Sequence, residues 1–431
     1  MFEGLKSLWP LLLGVWLIIF GSALQNTLIG YRASLEGFTY TYIGIIFTAN
    51  YVGFFIGSII APRMVVKAGH VRVFAAMTAT ASAISLLQAV VINPEFWALS
   101  QFVVGLCFAT MYVVAESWLN DAADNMYRGQ IMSSYMLVVL VGKMAGYYLF
   151  SVASPQSFIL FSYVSILISL SVVPMLLSAG RSPIIEIQER VSVIAIFKIS
   201  SSAFVVVLAS QIFVGMFNSL GPVYAHELGL DSLNVSHFMA LFVLGGLILQ
   251  WPIGAFSDKI DRRKVIIVAS LISLLTCFLA IFINHFWVVL LCVFLLGAFA
   301  HPLYSLGIAH SNDFLSPSQR VSASATLILL ASIGSAIGPM MGSSSMDYIG
   351  SNGLFVAASI PFIIIIMWLA WRISQRSAVP EDMRSDIVHI PTKATPTAAQ
   401  FNVETTDLDE TSQTQNSAIA PIADSPSYPS H

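Results

Sequence analysis

Two ionisable side chains lie inside long apolar stretches of this sequence, where a charge is costly to keep. Glu116 falls within the run 96–119, and Lys143 falls within the run 131–150. Charged groups in such surroundings usually face a polar cavity or an oppositely charged partner. They are therefore the first candidates for chemistry: Lys143 could bind an anion, and Glu116 could form an ion pair or transfer a proton.

Lys143 is the deeper of the two. Counted from Ile131, it lies about 18 Å along a helix that rises about 1.5 Å per residue. No Asp or Glu lies at a comparable depth in any apolar run. A lone cation there suits either an anionic solute or a structural lysine bonded to backbone carbonyls, and the sequence leaves both interpretations open. Tyr112, Gln25 and Asn218 are candidate polar groups for the same binding site.

Glu116 is shallower, one helical turn or about 6 Å before Asn120 at the end of its run. That depth favours a pair with a loop cation, and the alternative is a proton carrier. His301, which could titrate near neutral pH, is a second candidate proton carrier or a packing residue. We find no catalytic set, no metal-ligand spacing and no basic patch suited to nucleic acid. The sequence therefore argues against an enzyme, and it predicts neither a metal nor a cofactor.

A short cluster of charges joins two further apolar runs. Its pattern is Gly254-x-x-x-Asp258-Lys259-x-x-Arg262-Arg263-Lys264. Such a connector between two membrane-length segments predicts a helical hairpin whose turn faces the cytoplasm, because cytoplasmic loops collect Lys and Arg.

The composition indicates an integral membrane protein that lies in a lipid bilayer. Of the 431 residues, 57% are hydrophobic and only 10% are charged, whereas about 25% are charged in a typical soluble protein. Runs of about 20 apolar residues can each cross a bilayer core of about 30 Å. Twelve such runs predict an all-α fold with these spans: 7–29, 40–62, 73–92, 96–119, 131–150, 158–177, 201–222, 237–256, 265–283, 286–309, 321–345 and 353–371.

The connectors indicate how the chain is divided and oriented. One longer connector predicts a first six-helix bundle at 1–177, a cytoplasmic linker at 178–200 and a second bundle at 201–376. Alternate short loops hold nearly all the Lys and Arg, and the opposite loops hold Arg32 alone, so both termini are expected in the cytoplasm. Residues 377–431 have few large apolar side chains, and we expect a disordered cytoplasmic tail.

The two bundles are related by an internal repeat of 192 residues. Glycine at repeated positions suits close helix contacts, and the shared Asn, Asp, Tyr and Arg positions are harder to attribute to composition. Both halves then enter the membrane in the same direction. The first-half residues that meet an identical partner are Asn26, Gly37, Gly53, Lys67, Gly105, Tyr112, Asn120, Asp121, Arg128, Gly142 and Gly146, whose partners run from Asn218 to Gly338.

The charged loop resembles the loop signature of the major facilitator superfamily, a family of secondary transporters, with Asp261 where that pattern usually has a second glycine. Within the superfamily, the stretches 115–120, 128–129 and 250–254 are similar to the YcaD-like branch of bacterial carriers. The resemblance covers about residues 5–375. It implies two parallel-repeat six-helix bundles, a central solute cavity and alternating access.

The resemblance also implies a latch that holds the cytoplasmic side closed. Asp258, which follows Gly254 in the signature, stands at the family's loop Asp, whose role is to meet a helix N-terminus. Arg262 and Lys264 are expected to pair with Asp313. In the first half, a corresponding latch would join Lys67 or Arg72 to Asp121 or Glu116.

The sequence therefore predicts a secondary active transporter of a small solute, with an anionic solute as one option and a proton or other ion as a coupling partner. We expect a multi-pass monomer in a bacterial inner membrane. The alternatives are an exporter of hydrophobic or drug-like compounds and a membrane sensor on the same fold that does not transport.

Overall fold

The computed structural model describes residues 3–121, 128–177, 192–283, 285–315, 317–375 and 395–402. The helices in this part of the chain are α1 (Glu3–Leu35), α2 (Tyr40–Ala68), α3 (His70–Val90), α4 (Pro94–Asp121), α5 (Arg128–Leu149), α6 (Ile159–Leu177), α7 (Val193–Ile199), α8 (Ser201–Glu227), α9 (Ser232–Lys259), α10 (Arg262–Phe282), α11 (Phe286–Asn312), α12 (Pro317–Ile349) and α13 (Gly353–Gln375). Short 3-10 segments occur at Phe150–Val152 and Pro396–Asn402.

Twelve of these helices are long and apolar enough to cross a membrane, and α7 is the exception. The predicted all-α fold with twelve spans is confirmed. Several helices extend beyond their apolar runs; α12, for example, covers residues 317–349 where the sequence predicted 321–345. The first turn of α12 contains polar residues, so a search for runs of apolar residues does not include it. Part of the predicted linker, 178–191, lies outside the described residues, and α7 occupies the rest.

The first turn of each half has the same backbone geometry. Gly37 and Gly229 have φ angles of 72° and 71°, a left-handed conformation that glycine adopts without a Cβ clash. The amide of Phe38 donates to the Ala33 carbonyl, and the amide of Leu230 donates to the Ala225 carbonyl. At this turn, residues related by the 192-residue sequence repeat also form the same backbone hydrogen bonds in both halves.

Close glycine contacts also recur between the halves. A Cβ at Gly105 would overlap the Asn50 carbonyl oxygen, and a Cβ at Gly297 would overlap that of Phe242. Asn50 and Phe242 are themselves related by the 192-residue shift. Small residues let membrane helices approach to backbone contact. The α2–α4 pair of the first half and the α9–α11 pair of the second half therefore pack in the same register.

The helical bundle has two ends, here called the terminal face and the distal face, and each carries a different set of turns. The terminal face holds the α2–α3 turn at Gly69 and the α9–α10 turn at Ile260. The distal face holds the α1–α2 turn at Gly37 and the α8–α9 turn at Gly229. Helices α1 to α6 form the first half, and α8 to α13 form the second.

Polar contacts between the halves occur at the distal face. The Ser34 hydroxyl donates to Glu227 at 3.0 Å and lies 2.7 Å from Nδ1 of His226. The Thr41 hydroxyl donates to the Asp347 carboxylate, and the Ser236 hydroxyl donates to the Tyr147 carbonyl at 2.6 Å. Direct contact of the halves in α1–α8, α2–α12 and α5–α9 therefore closes this face.

The tail differs in part from the expectation of disorder. Most of 377–431 lies outside the described residues, but Thr395–Asn402 is described and is here called the tail segment. Its 3-10 helix, Pro396–Asn402, packs against α4 and α12. Ala398 and Ala399 are fully buried there. Two small alanines fit a narrow gap between helices, and nothing in the local composition indicates such a gap.

Candidate functional site

A cavity lies between the two halves beneath the closed distal face. Most of its wall comes from α1, α4 and α5, and α8 and α9 complete it from the second half. Two of its members, Asn26 and Asn218, are repeat partners that face each other's half. The lining residues are Ile19, Ser22, Ala23, Asn26, Thr27, Tyr112, Tyr135, Val139, Lys143, Tyr147, Asn218 and Met239.

Helix α5 contributes a stripe of side chains to this cavity. Tyr135, Val139, Lys143 and Tyr147 are spaced by four residues, so they share one face of the helix. Gly142 and Gly146, on the adjacent face, pack closely on α1. The close packing of Gly142 and Gly146 on α1 thus fixes the orientation of α5, so that Tyr135, Lys143 and Tyr147 lie at the cavity.

Lys143 supplies the single charge in this lining, and no carboxylate occurs among the described lining residues. It is half-buried. Within the described part of the chain, no ion pair involves Lys143. No described hydrogen bond joins its ammonium to a backbone carbonyl, as the structural alternative would require.

The other predicted binding residues separate into two groups. Tyr112 and Asn218 line the cavity with Lys143. Gln25 does not: its amide donates to Ser85 at 3.1 Å and to Gln88 at 3.2 Å. Those residues lie on α3, so Gln25 stabilises the first half from within. The adjacent residue, Asn26, lines the cavity in place of the predicted Gln25.

Glu116 is fully buried (0% exposed) at the terminal-face side of the cavity. It accepts a hydrogen bond from the Tyr135 hydroxyl at 3.2 Å and from both the amide and the hydroxyl of Thr395. These partners in the described residues are neutral, so the expected pair with a loop cation is not formed there. A buried carboxylate needs such donors, because an unpaired one is costly.

His301 lies on α11 and packs among helices. Its Nδ1 is 3.0 Å from the Gly297 carbonyl oxygen, and its ring lies 4.6 Å from that of Phe242. It is not among the lining residues of the cavity. This geometry favours the packing role over the proton-carrying one.

The charged loop forms a compact cluster at the terminal face. Arg262 lies 3.0 Å from the Asp313 carboxylate and 3.2 Å from that of Asp258. The side chains of Arg262 and Asp313 are 1% and 2% exposed. The expected Arg262–Asp313 pair is present, and it joins α10 to the end of α11 within the second half. Gly254, at the start of the signature, is buried on α9.

Asp261, where the family pattern has glycine, begins α10 as its N-cap. Its carboxylate accepts from the amide and the guanidinium of Arg263. Burial alone would raise the pKa of Asp261, but the hydrogen bonds and charge of Arg263 outweigh it and hold the pKa below its usual value. This pair was not predicted from the sequence, although an Asp directly before a helix is a recognisable N-cap.

Three other latch residues are not joined as expected. Lys67, Arg72 and Lys264 are exposed. Among the ion pairs of the described residues, none links Lys67 or Arg72 to Asp121 or Glu116, and none links Lys264 to Asp313. The first-half loop carries fewer charged residues than its repeat in the second half. Pro62 and Val66 stand there in place of the Gly and Asp of the signature.

The described residues contain no group of three or more His, Cys, Asp and Glu side chains that could hold a metal ion. What the cavity offers is one ammonium, several hydroxyls and two amides between two repeated halves. Such a site can bind and release a polar solute.

Comparison with known proteins agrees with this architecture. The sequence profile of the Major Facilitator Superfamily matches residues 11–233 and again residues 200–403. The chain therefore belongs to the major facilitator superfamily, and it is a multi-pass membrane transporter.

Two bacterial relatives match most of the chain. The chain is 27% identical over 362 residues to the uncharacterized MFS-type transporter YcaD of Escherichia fergusonii, which covers 83% of this chain and 94% of the relative. The Shigella flexneri YcaD is 26% identical over the same shares. The predicted branch of the superfamily is confirmed.

Solved structures show the same fold at low identity. The nucleoside transporter NupG aligns with a TM-score of 0.70 and 13% identity, over 84% of this chain and 98% of that one. A bacterial homolog of the human lysosomal transporter Spinster, in an inward-facing and occupied conformation, aligns with a TM-score of 0.68 and 14% identity, over 89% and 99%.

Proposed function

We propose that this chain is a secondary transporter that moves a small anionic solute through the cavity between its halves by alternating access. The observation that supports the proposal is Lys143, a cation in a cavity whose described lining contains no carboxylate. A solute that carries a carboxylate or another anionic group would supply the missing counter-charge. Transporters of this kind place substrate sites near the bilayer midplane, at the interface of the repeats.

The neighbouring groups suit such a solute. The Tyr112 hydroxyl can donate to an anion, and the amides of Asn26 and Asn218 can donate or accept. Asn26 belongs to the first half and Asn218 to the second. A solute held by both would be bound by both moving bodies, and rocking of one half against the other would expose it to alternate sides.

The terminal face is proposed to be cytoplasmic. Lys67, Lys198, Lys259 and Lys264 lie at helix ends or loops of this face, whereas Arg32 lies at the distal face. Positive charge accumulates on the cytoplasmic side of membrane proteins. With that orientation in a bacterial inner membrane, the face at which the two halves contact each other directly is the periplasmic one.

An apolar groove favours a second candidate function, the export of hydrophobic compounds. The groove runs between α2 and α12, one helix of each half. Its hydroxyls are already used: those of Thr48, Ser332 and Ser344 donate to helix carbonyls. The groove is lined by Thr48, Val52, Phe55, Ser332, Ile333, Ala336, Ile337, Met340, Met341 and Ser344.

Substitution of Lys143 tests the anionic site. A thermal-shift screen of the purified protein against metabolite classes would first find a solute. In proteoliposomes, Lys143→Ala and Lys143→Gln should then lower transport at least tenfold, about the factor that a lost interaction of about 1.4 kcal/mol produces. Lys143→Arg should retain part of the activity, because it keeps the charge.

The matched control is Lys198→Ala, which removes an exposed lysine on α7 and should leave transport unchanged. Full activity of Lys143→Ala on an anionic solute would refute the proposed site. Stabilisation of the protein by apolar compounds only, with no response to anions, would support the hydrophobic exporter instead.

A further inference from the structure

The tail segment is held in place by contacts with particular side chains. The amide of Thr395 lies 3.3 Å from both carboxylate oxygens of Glu116, and the Thr395 hydroxyl donates to the same group. The side-chain amide of Asn120 donates to the Thr397 carbonyl at 3.0 Å. On its other side the segment packs on α12. A piece of chain from beyond α13 thus bridges the two halves at the terminal face.

The segment lies at the mouth of the solute cavity. Glu116 is one helical turn from Tyr112, and it accepts the hydroxyl of Tyr135. Both tyrosines line the cavity. A path from the terminal face to Lys143 between α4 and α12 therefore meets the tail segment first.

We propose that the cleft between α4 and α12 is a docking site for the tail segment, and that the docked segment is an autoinhibitory plug of the cavity. The blocking role rests on the proposed transport function, whereas the docking does not. Glu116 and Asn120 are the docking residues on the first half. The plug holds the terminal-face entrance shut while the distal face is also closed.

The chemistry of Glu116 explains why this segment binds. A buried carboxylate needs hydrogen-bond donors, and Thr395 supplies two of the contacts that it receives. The small side chains of Ala398 and Ala399 allow the segment to enter the cleft fully. When the segment leaves, water must replace its donors at Glu116, so release opens a wet path to the cavity.

The attachment of the segment allows release and return. Residues 376–394 connect Gln375 at the end of α13 to Thr395. A chain of this length spans at most roughly 65 Å when fully extended, so an undocked segment stays near the cleft. Tethered ligands of this kind reach effective concentrations of about a millimolar, which favours rebinding.

Cysteine labelling of the full chain tests the docking without any knowledge of the solute. The native cysteines Cys107, Cys277 and Cys292 are buried, and they set the background. Ala399→Cys should react slowly with a water-soluble maleimide, relative to the same protein unfolded in detergent. Adding Thr395→Val or Asn120→Ala should raise that rate about tenfold, because each change removes a hydrogen bond that holds the segment.

Thr80→Val is the matched control. The Thr80 hydroxyl donates to the Ala76 carbonyl of its own helix on an exposed face, so its loss should leave the labelling rate unchanged. Labelling of Ala399→Cys at the unfolded rate in an otherwise unchanged chain would overturn the docking. So would a rate that neither Thr395→Val nor Asn120→Ala increases in protein that remains monodisperse.

A second probe tests the plug itself. Asn26→Cys lies in the cavity wall, and maleimide should reach it several-fold faster when Thr395→Val is added. An unchanged rate at Asn26→Cys, with a raised rate at Ala399→Cys, would overturn the plug. Both probes report access and not transport, so their outcome is independent of the Lys143 test.

Discussion

Among the described ion pairs of the charged loop, that of Arg262 and Asp313 is the most deeply buried. Removing one partner of a buried pair weakens the compensation of the remaining charge, and its complete loss typically costs about 3–5 kcal/mol. Asp313→Asn should therefore lower the midpoint of thermal unfolding in detergent strongly. Arg262→Ala should do the same, because it leaves the Asp313 carboxylate buried without its guanidinium.

Asp258→Asn provides the comparison. The Asp258 side chain is 36% exposed and pairs with the same Arg262, and exposed pairs are worth about 0–1 kcal/mol. It should shift the midpoint far less than Asp313→Asn. Equal shifts for the two variants would mean that burial does not distinguish these pairs.

At the residue scale, the sequence identified the charged members of the site more reliably than the polar ones. Lys143 and Glu116 stand out because charge is rare in apolar runs, whatever the tertiary fold. Gln25 and Asn26 cannot be separated in this way, since adjacent helical residues differ only by about 100° in direction. The repeat could have separated them, because it pairs Asn218 with Asn26. The four-residue steps from Tyr135 through Val139 to Lys143 can likewise be read from the sequence.

Helix pairs in this molecule are set by glycines at backbone contact. Gly105→Ala places a methyl group on the Asn50 carbonyl, and Gly297→Ala places one on the Phe242 carbonyl. The two helices of the pair would have to separate, which should lower the free energy of unfolding by about 1–3 kcal/mol, as overpacking usually does. Both variants should lower the thermal midpoint by similar amounts.

Gly221→Ala is the control for glycine loss without a backbone clash. A Cβ there would meet only side-chain atoms, the nearest being Sδ of Met239 at 3.2 Å. Helix propensity then favours alanine by about 1 kcal/mol, so stability should stay level or rise. A loss at Gly221→Ala as large as at Gly105→Ala would contradict the packing argument.

At the element scale, twelve spans and their repeat could be predicted because apolar length and glycine spacing are local properties. The helix ends could not, since polar turns continue several helices beyond the apolar core. The tail segment could not either. Its small alanines and Thr395 have no local feature that indicates burial, and their partner Glu116 is distant in sequence. Such a contact is visible only once α4 and α12 are in place.

At the scale of the whole molecule, the two halves are joined at the distal face, and this joint must open if access alternates. Cysteines at Thr41 and Asp347, bridged by a short bifunctional thiol reagent, should hold the joint closed and stop transport in proteoliposomes. A reducible reagent should allow recovery of transport after reduction. The two native side chains are hydrogen-bonded across the halves, so the bridge needs little movement.

A pair within the first half controls for the chemistry. The Tyr42 hydroxyl donates to Glu95 at 3.3 Å, also at an exposed distal position, and both residues belong to the first half. Cross-linking Tyr42→Cys to Glu95→Cys should leave transport intact. Continued transport across the bridged Thr41–Asp347 pair would show that the distal face need not open.

The repeated glycine contacts have a consequence for experiment. Because Gly105 on Asn50 and Gly297 on Phe242 are the same junction built twice from diverged sequences, each half is an internal replicate of the other. A substitution made at one junction can be transplanted to its twin in the same polypeptide, membrane and preparation. If the two substitutions change the thermal midpoint by different amounts, the difference measures how the side chains around each junction affect the same contact between two helices.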